Sequence, residues 1–442
     1  MSKGFARKEY VAAQFAWAVA ALAALIPAAA QGQDFRIRHA AGQMAPTEVA
    51  LAVLPPAATV ADMQAHDADG SWPTRGWGTT TPEAQGIDST VLTDAMETIR
   101  ARHIPVHSLL IERHGKIVLD AYFAPFADNQ LHDVFSVTKS VTSTLVGIAM
   151  RERRISDLRT PVAAFLPDSP AAYDPVKRRL TLSHMLSMTS GLACAGNRGG
   201  NFLQAMEQSP HWTDFALSRE EVGQPGSTFT YCAGNMQVVS AVLTRSLGEP
   251  AADYAQSELF GPLGITHVSW AKDRDGNSHG FSDLRMQPRD MAKLGYLWLH
   301  RGAWEGRQIV PAEYLDAAFS PHANVQPGVQ YGYGMWIYPE RGHAGGPPDF
   351  EANGVGGQRI AVVPSQDMVM VITGAGLDAN NVASLISGAV RSDTALPSNT
   401  LAIARLNTRV AEAAGRSETR LASARTPRHS GGVVRTAALS PP

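Results

Sequence analysis

Ser136 and Lys139 stand three residues apart in the run Val134-Phe135-Ser136-Val137-Thr138-Lys139-Ser140-Val141-Thr142-Ser143. In a helix that spacing brings the two side chains over one face. A serine hydroxyl attacks a carbonyl only when a base takes its proton, and a buried lysine serves once burial lowers its pKa enough to leave it neutral near pH 7. The chemistry open to such a pair is acyl transfer, with Ser136 as nucleophile, Lys139 as base, and free N–H groups at the helix N-terminus for an oxyanion. The following residues support a buried helix. Val137, Val141, Leu145 and Ile148 fall on one face, and Ser136, Ser140, Ser143 and Gly147 form a small-residue stripe on another. The competing reading of the same residues is a helix cap with a solvated lysine one turn on. A second S-x-x-K, Ser269-Trp270-Ala271-Lys272, precedes the polar segment Asp273-Arg274-Asp275-Gly276-Asn277 with no buried helix after it, and is assigned to chance. The sequence has no GxSxG elbow, HExxH helix, Walker loop or GxGxxG after a strand, which argues against metal hydrolysis and nucleotide chemistry.

The elements that must position this pair are legible at both chain ends. His107 to Arg113 and Ile117 to Phe123 flank His114-Gly115-Lys116, and Gln358 to Val363 and Met368 to Thr373 flank Pro364-Ser365-Gln366-Asp367. Both read as hairpins, so the sheet is expected to be antiparallel. Between them, from Ile155 to Ser282, apolar residues recur at helical spacing, as in Leu180 to Leu192 and Met236 to Leu247. An α/β lobe built from residues 85–155 and 283–412, with a mainly helical lobe of 156–282 inserted, follows, and a cleft between them is where a site belongs. Residues 31–84 read as a leader or wrap-around segment, and 413–442, rich in Arg, Ser, Thr, Ala and Pro, as a flexible tail.

The 442 residues carry 38 Lys+Arg against 40 Asp+Glu, with 44% hydrophobic and 18% charged side chains and 2 Cys. That composition excludes a disordered chain, a nucleic-acid coat and a disulfide scaffold. Lys3, Arg7 and Lys8, the uncharged run from Phe15 to Ile26, and Ala28-Ala29-Ala30 read as a secretory signal over residues 1–30, with an uncleaved anchor as the rival. Its removal leaves 35 basic and 39 acidic side chains, a net charge of −4, so no basic patch and no nucleic-acid partner is expected. A periplasmic or secreted protein without stable membrane insertion is the expectation. In such an oxidising compartment Cys194 and Cys232 can form a disulfide; otherwise they are two small buried side chains.

The segments around Ser136 and Lys139 resemble the serine hydrolases of the class C β-lactamase type. This superfamily includes penicillin-binding carboxypeptidases, esterases and 6-aminohexanoate-dimer hydrolases. The likeness continues in order through Leu180-Thr181-Leu182-Ser183-His184-Met185-Leu186-Ser187-Met188-Thr189-Ser190-Gly191-Leu192, through Pro225-Gly226-Ser227-Thr228-Phe229-Thr230-Tyr231, through Pro288-Arg289-Asp290-Met291-Ala292-Lys293-Leu294-Gly295 and through Gly354-Val355-Gly356-Gly357-Gln358-Arg359-Ile360, covering about residues 75–410. It implies a β-lactamase-like fold and an acyl-enzyme mechanism without metal or organic cofactor. It also implies a role for Tyr231 in sharing the proton with Ser136 and Lys139, which calls for a nearby cation to lower the phenol's pKa from about 10.

Two departures bear on substrate. Relatives that handle β-lactams or D-alanyl peptides usually carry Asn two residues after the tyrosine, where this chain has Ala233 and then Asn235. The third motif, Lys or His, any residue, then Gly on an inner strand, is best matched by Val355-Gly356-Gly357; His343-Ala344-Gly345 fits in wording, but Pro347 and Pro348 follow where a strand is needed. A cation to grip a substrate carboxylate is thus missing, and an esterase or amidase acting on a small molecule is favoured. The alternatives are a β-lactamase or D-alanyl carboxypeptidase, or a non-catalytic periplasmic binding or sensor protein. Gly356 and Gly357 are expected to let substrate approach the backbone, with the Gln358 N–H joining that of Ser136 as oxyanion donors. Asn353, Trp336 and Trp212 are candidates to line the pocket.

Overall fold

The computed structural model describes residues 72–194, 202–341 and 347–416. The signal segment, most of the leader, His343-Ala344-Gly345 and the tail from residue 417 lie outside them.

Nine strands form one sheet: β1 (Gly78–Thr79), β2 (Val106–Arg113), β3 (Lys116–Tyr122), β4 (Ala323–Gln326), β5 (Val329–Tyr331), β6 (Trp336–Tyr338), β7 (Asp349–Gly354), β8 (Gln358–Val363) and β9 (Met368–Gly374). Their order is β1-β3-β2-β9-β8-β7-β6-β5-β4. Every pairing is antiparallel except the two-residue β1 beside β3. Both expected hairpins are present, and β2 meets β9 in the middle of the sheet, Leu110 opposite Val371, so the two chain ends close one structure. The period-2 alternation of Val and Ile explains why the sheet has two buried faces. Ile360, Val362, Val369 and Val371 enter the larger core, while Ala361, Met370 and Ile372 enter a smaller one.

The helices used below are α1 (Ser89–Ala101), α2 (Val137–Arg151), α3 (Leu182–Leu186), α4 (Ala233–Leu247), α5 (Pro288–Leu299), α6 (Ala379–Leu385) and α7 (Thr400–Ala413). Leu92, Met96 and Ile99 of α1, Val382 of α6 and Leu406 of α7 cover the smaller core. The larger core holds α2, α4 and α5 together with the short helices between α2 and α4. Of the stretch Leu180 to Leu192 only α3 is helical; Met188 at φ +60° and Gly191 at φ +74° turn the remainder into a folded loop. The described end of the leader is docked rather than loose: Trp72 is buried against Tyr296, His300 and Trp304. Among the described residues no helix is long and apolar enough to cross a membrane.

α2 carries the Ser-Lys spacing and is wrapped on all sides, with every residue from Val137 to Ala149 buried. Its many β-branched residues are mediocre helix formers, so burial rather than propensity holds it. The small-residue stripe is where the chain from Val310 to Gly334 packs. Ser140 Oγ donates to Gly334 O (2.6 Å), Ser143 Oγ to Tyr333 O (2.7 Å), and a Cβ on Gly147 would collide with the Tyr314 ring. Overpacking at such a site costs about 1–3 kcal/mol, which exceeds the gain of about 1 kcal/mol from replacing a helical glycine. Gly147→Ala is therefore expected to be destabilising despite its better helix propensity, read as a lower midpoint in urea unfolding.

Candidate active site

Ser136 occupies the N-cap of α2, following Phe135, whose φ of +47° is in the left-handed region. That conformation costs energy in a non-glycine residue and is held by flanking hydrogen bonds. Phe135 N donates to Asp133 Oδ1 (3.0 Å) and Thr138 Oγ1 donates to Phe135 O (2.6 Å). The Ser136 side chain makes no capping bond; instead Lys139 Nζ donates to Ser136 Oγ at 2.9 Å. Lys139 is 2% exposed, so it is not a solvated residue beside a cap. Its other acceptor is the carbonyl of Phe281, 3.0 Å away. Burial is what pushes its pKa down, from 10.5 to about 7. The amine is thus part neutral at physiological pH and lies against the oxygen it would deprotonate.

Tyr231 reaches the pair from the start of α4. Its segment is tied to the loop after α3: Thr230 N donates to Met188 O (2.8 Å), Cys232 N to Met188 Sδ (3.4 Å), and Cys232 is disulfide-bonded to Cys194 with their Cα atoms 5.5 Å apart. Tyr231 is 39% exposed. Lys139 Nζ sits 4.8 Å from the ring centroid. The phenol is pushed up to about 12 because burial outweighs the hydrogen bond with Ser136. The sequence called for a cation that lowers this pKa; no cation is among the causes of its shift. Phe229, Tyr331 and Trp336 surround the Tyr231 ring, Trp336 at 5.5 Å and half-buried. Asn235 lies beneath, accepting from Ser190 Oγ at 2.9 Å, and stabilises the α3 loop rather than facing the cleft.

The third motif is displaced from its expected position. Val355, Gly356 and Gly357 form the turn between β7 and β8 rather than a strand, with Gly356 at φ +83° and Gly357 at φ +97°. The close approach falls on Gly354 at the end of β7, where a Cβ would collide with the carbonyl of Val134, two residues before Ser136. Gly357 is needed instead against Leu377. The Gln358 side chain is committed to the sheet, donating to Gly374 O (2.6 Å) and accepting from Gly374 N (3.3 Å). Asn353 alternates with Gly354 and turns away from α2. Its amide donates to Glu351 (3.0 Å) and accepts from Arg359 (3.2 Å), so it belongs to a polar cluster and not to the cleft wall. Trp212 is buried behind the site, 4.5 Å from the His279 ring. In the second S-x-x-K, Lys272 pairs with Asp253 at 2.7 Å.

Sequence reasoning overlooked three participants. The Phe281 carbonyl carries no side-chain signature. Phe229 stands at alternate spacing to Tyr231 and could have been found from it, whereas Tyr331 is brought in only by tertiary folding. Among the described residues no group of three or more His, Cys, Asp or Glu is placed to hold a metal ion.

A family model described as Beta-lactamase matches residues 90–385. Over 280 residues the chain is 22% identical to the 6-aminohexanoate-dimer hydrolase of Paenarthrobacter ureafaciens, covering 60% of this chain and 71% of that protein. Over 200 residues it is 24% identical to the D-aminopeptidase of Brucella anthropi, covering 41% of this chain but only 36% of that protein. The structure of EstCE1, a hydrolase with promiscuous acyltransferase activity, superposes with a TM-score of 0.57 at 18% identity, over 69% of this chain and 99% of that one. Because the model runs from α1 through α6, across both halves of the sheet and everything inserted between them, the chain belongs to the Beta-lactamase family.

Proposed function

We propose that this protein is an exported serine hydrolase that cleaves a small ester or amide through an acyl-enzyme on Ser136. The observation that carries the reading is the 2.9 Å contact from a buried Lys139 amine, poised near pH 7, to the Ser136 hydroxyl. Neutral Lys139 takes the proton as Ser136 Oγ bonds to the carbonyl carbon. Tyr231, neutral at rest, gives its proton to the departing oxygen or nitrogen and recovers one from the Lys139 ammonium. Water then attacks the acyl-enzyme by the same route reversed and releases the acid.

The Ser136 N–H and a main-chain N–H of the Gly354–Gln358 turn, Gln358 in the first instance, are the oxyanion donors. Ala233 and the turn at Val355 favour esters and amides over β-lactams, since neither supplies a grip on a carboxylate. The described hydrolase, peptidase and acyltransferase activities of the similar proteins support acyl transfer as the class of chemistry. The Cys194–Cys232 disulfide suits an oxidising compartment, in line with a periplasmic or secreted location. The catalytic centre is read as lying between the lobe of residues 85–155 and 283–412 and the inserted lobe of 156–282.

A fluorophosphonate probe is expected to add once to the wild type and not to Ser136→Ala, read by intact mass. Because Lys139 acts only when neutral, kcat/KM should rise with pH through one ionisation with a midpoint near 7. Lys139→Ala should lower it by about 10³-fold or more. A flat profile with activity kept in that variant overturns the assignment.

Tyr231→Phe separates the two proton roles. It should slow hydrolysis of an anilide by about 10²-fold, and a p-nitrophenyl ester far less, because nitrophenolate leaves without a proton. Equal losses on both substrates would place Tyr231 outside leaving-group protonation.

A further inference from the structure

The Lys139 amine is held from two sides. Helical spacing sets its distance to Ser136, and the opposite side is the Phe281 carbonyl at 3.0 Å. The segment that presents this carbonyl runs from Ser278 to Leu284 and is pinned at both ends. At the first end Ser240 Oγ donates to Ser278 O (2.6 Å), Trp270 Nε1 to His279 O (2.9 Å), Gln237 accepts from Gly280 N (3.0 Å) and Thr142 Oγ1 donates to Gly280 O (2.9 Å). Gly280 has no room for a side chain against Met236 O. At the other end Leu284 N donates to Thr138 Oγ1 (3.4 Å), and Leu284 O accepts from Val134 N (3.0 Å). Three residues, Phe281, Ser282 and Asp283, bridge the pins.

Asp283 holds a φ of +65°, a conformation that costs a non-glycine residue energy and relaxes unless something retains it. The retaining contact is His279 Nδ1 to Asp283 Oδ2 at 2.9 Å, which spans the bridge from pin to pin. The His279 ring is fixed in turn. It lies 4.5 Å from Trp212 and nearly parallel to Phe281, at 6° with centroids 6.0 Å apart. Only 12% of its side chain is exposed.

We infer that His279 and Asp283 are positioning residues for the catalytic base: their clasp keeps the bridge folded so that the Phe281 carbonyl stays aimed at Lys139 Nζ. Neither touches Ser136 or Lys139, and the inference rests on the base role proposed for Lys139. A carbonyl that accepts from an amine favours its protonated form more than its neutral form. Opening the clasp should therefore free the amine from its aim on Ser136 and also make it easier to deprotonate. The other groups about the amine are Ser136 at the N-cap of α2, Tyr231 just before α4 and the Phe281 ring, and no charged neighbour contributes to its shift.

The test is the second-order rate of Ser136 labelling by a fluorophosphonate as a function of pH, on the full mature protein, for wild type, His279→Ala and His279→Asn. Asn places an amide N–H near the position of Nδ1 and preserves the clasp. His279→Ala should slow labelling on the plateau by about tenfold or more and move the midpoint of the rising limb to lower pH by about half a unit or more. His279→Asn should recover most of both. A folded His279→Ala with the wild-type midpoint and rate overturns the inference, as does a His279→Asn that moves the midpoint as far as Ala does. Should the Ala variant fail to fold, Asp283→Asn, which keeps one acceptor and drops the charge, is read against His279→Asn. Equal midpoints close to wild type uphold the clasp, and a full shift in both refutes it. Absence of any labelling or rising limb in the wild type would instead refute the proposed base itself.

Discussion

Burying one lysine amine without a carboxylate beside it is the constraint on which this structure turns. An ammonium moved out of water is costly unless it is paired, and the usual remedy is an acidic partner. Lys139 has instead a hydroxyl and a peptide carbonyl, 2.9 and 3.0 Å away, and its pKa falls to about 7. A carboxylate in place of the Phe281 carbonyl would restore the charge and remove the proposed base. The surroundings are accordingly made of neutral dipoles: the Phe281 carbonyl, the Ser136 and Tyr231 hydroxyls, and the backbone around α2. The dense wrapping of α2, unusual for so β-branched a helix, follows from the same need, because water reaching Lys139 would return its pKa toward that of an ordinary lysine.

Dipoles without charge must be aimed, and the backbone around the site stores strain to do so. Phe135, Met188 and Asp283 all have positive φ. Each adjoins one member of the centre: Phe135 precedes Ser136, Met188 anchors the Tyr231 segment, and Asp283 closes the bridge carrying the Phe281 carbonyl. Each is also held by side-chain or backbone hydrogen bonds. The stiffness of the two-sided sheet and of its cores supplies the frame against which that strain can be held.

What could be read from the sequence divides along the same line. Local pattern carried the hairpins at Gly115 and Asp367, the burial of α2 and the meeting of Ser136 with Lys139, because strand alternation and helical spacing are short-range properties. The third motif was placed one step too far along the chain. A run of glycines signals a turn and a close approach equally well, and only the fold shows that Gly354 serves the approach to Val134 while Gly356 and Gly357 serve the turn. Asn353 was drawn into the site by its neighbourhood in sequence, yet strand alternation at a position next to Gly354 sends its amide to Glu351 and Arg359. The Phe281 carbonyl was illegible because main-chain acceptors leave no trace in residue type. The two residues that clasp its segment, His279 and Asp283, are four residues apart in a stretch with no periodic pattern at all.

The two proposed proton carriers, Lys139 and Tyr231, have opposite displacements from one cause. Burial moves the amine down, to about 7, and the phenol up, to about 12, since in both it is the charged form that loses water. Near pH 7 the phenol is therefore neutral and the amine is divided between its two forms; from the neutral amine, direct transfer from Tyr231 to Lys139 would create two buried ions. In the proposed mechanism the neutral centre gains charge when Ser136 gives up its proton to Lys139, whose Nζ stands 4.8 Å from the Tyr231 ring centroid. Under that mechanism this cation is the one the phenol was expected to need, present when a leaving group has to be protonated. Under the proposed mechanism the order of events then follows from electrostatics: the amine takes a proton before the tyrosine gives one, and the site returns to neutrality with each half-reaction.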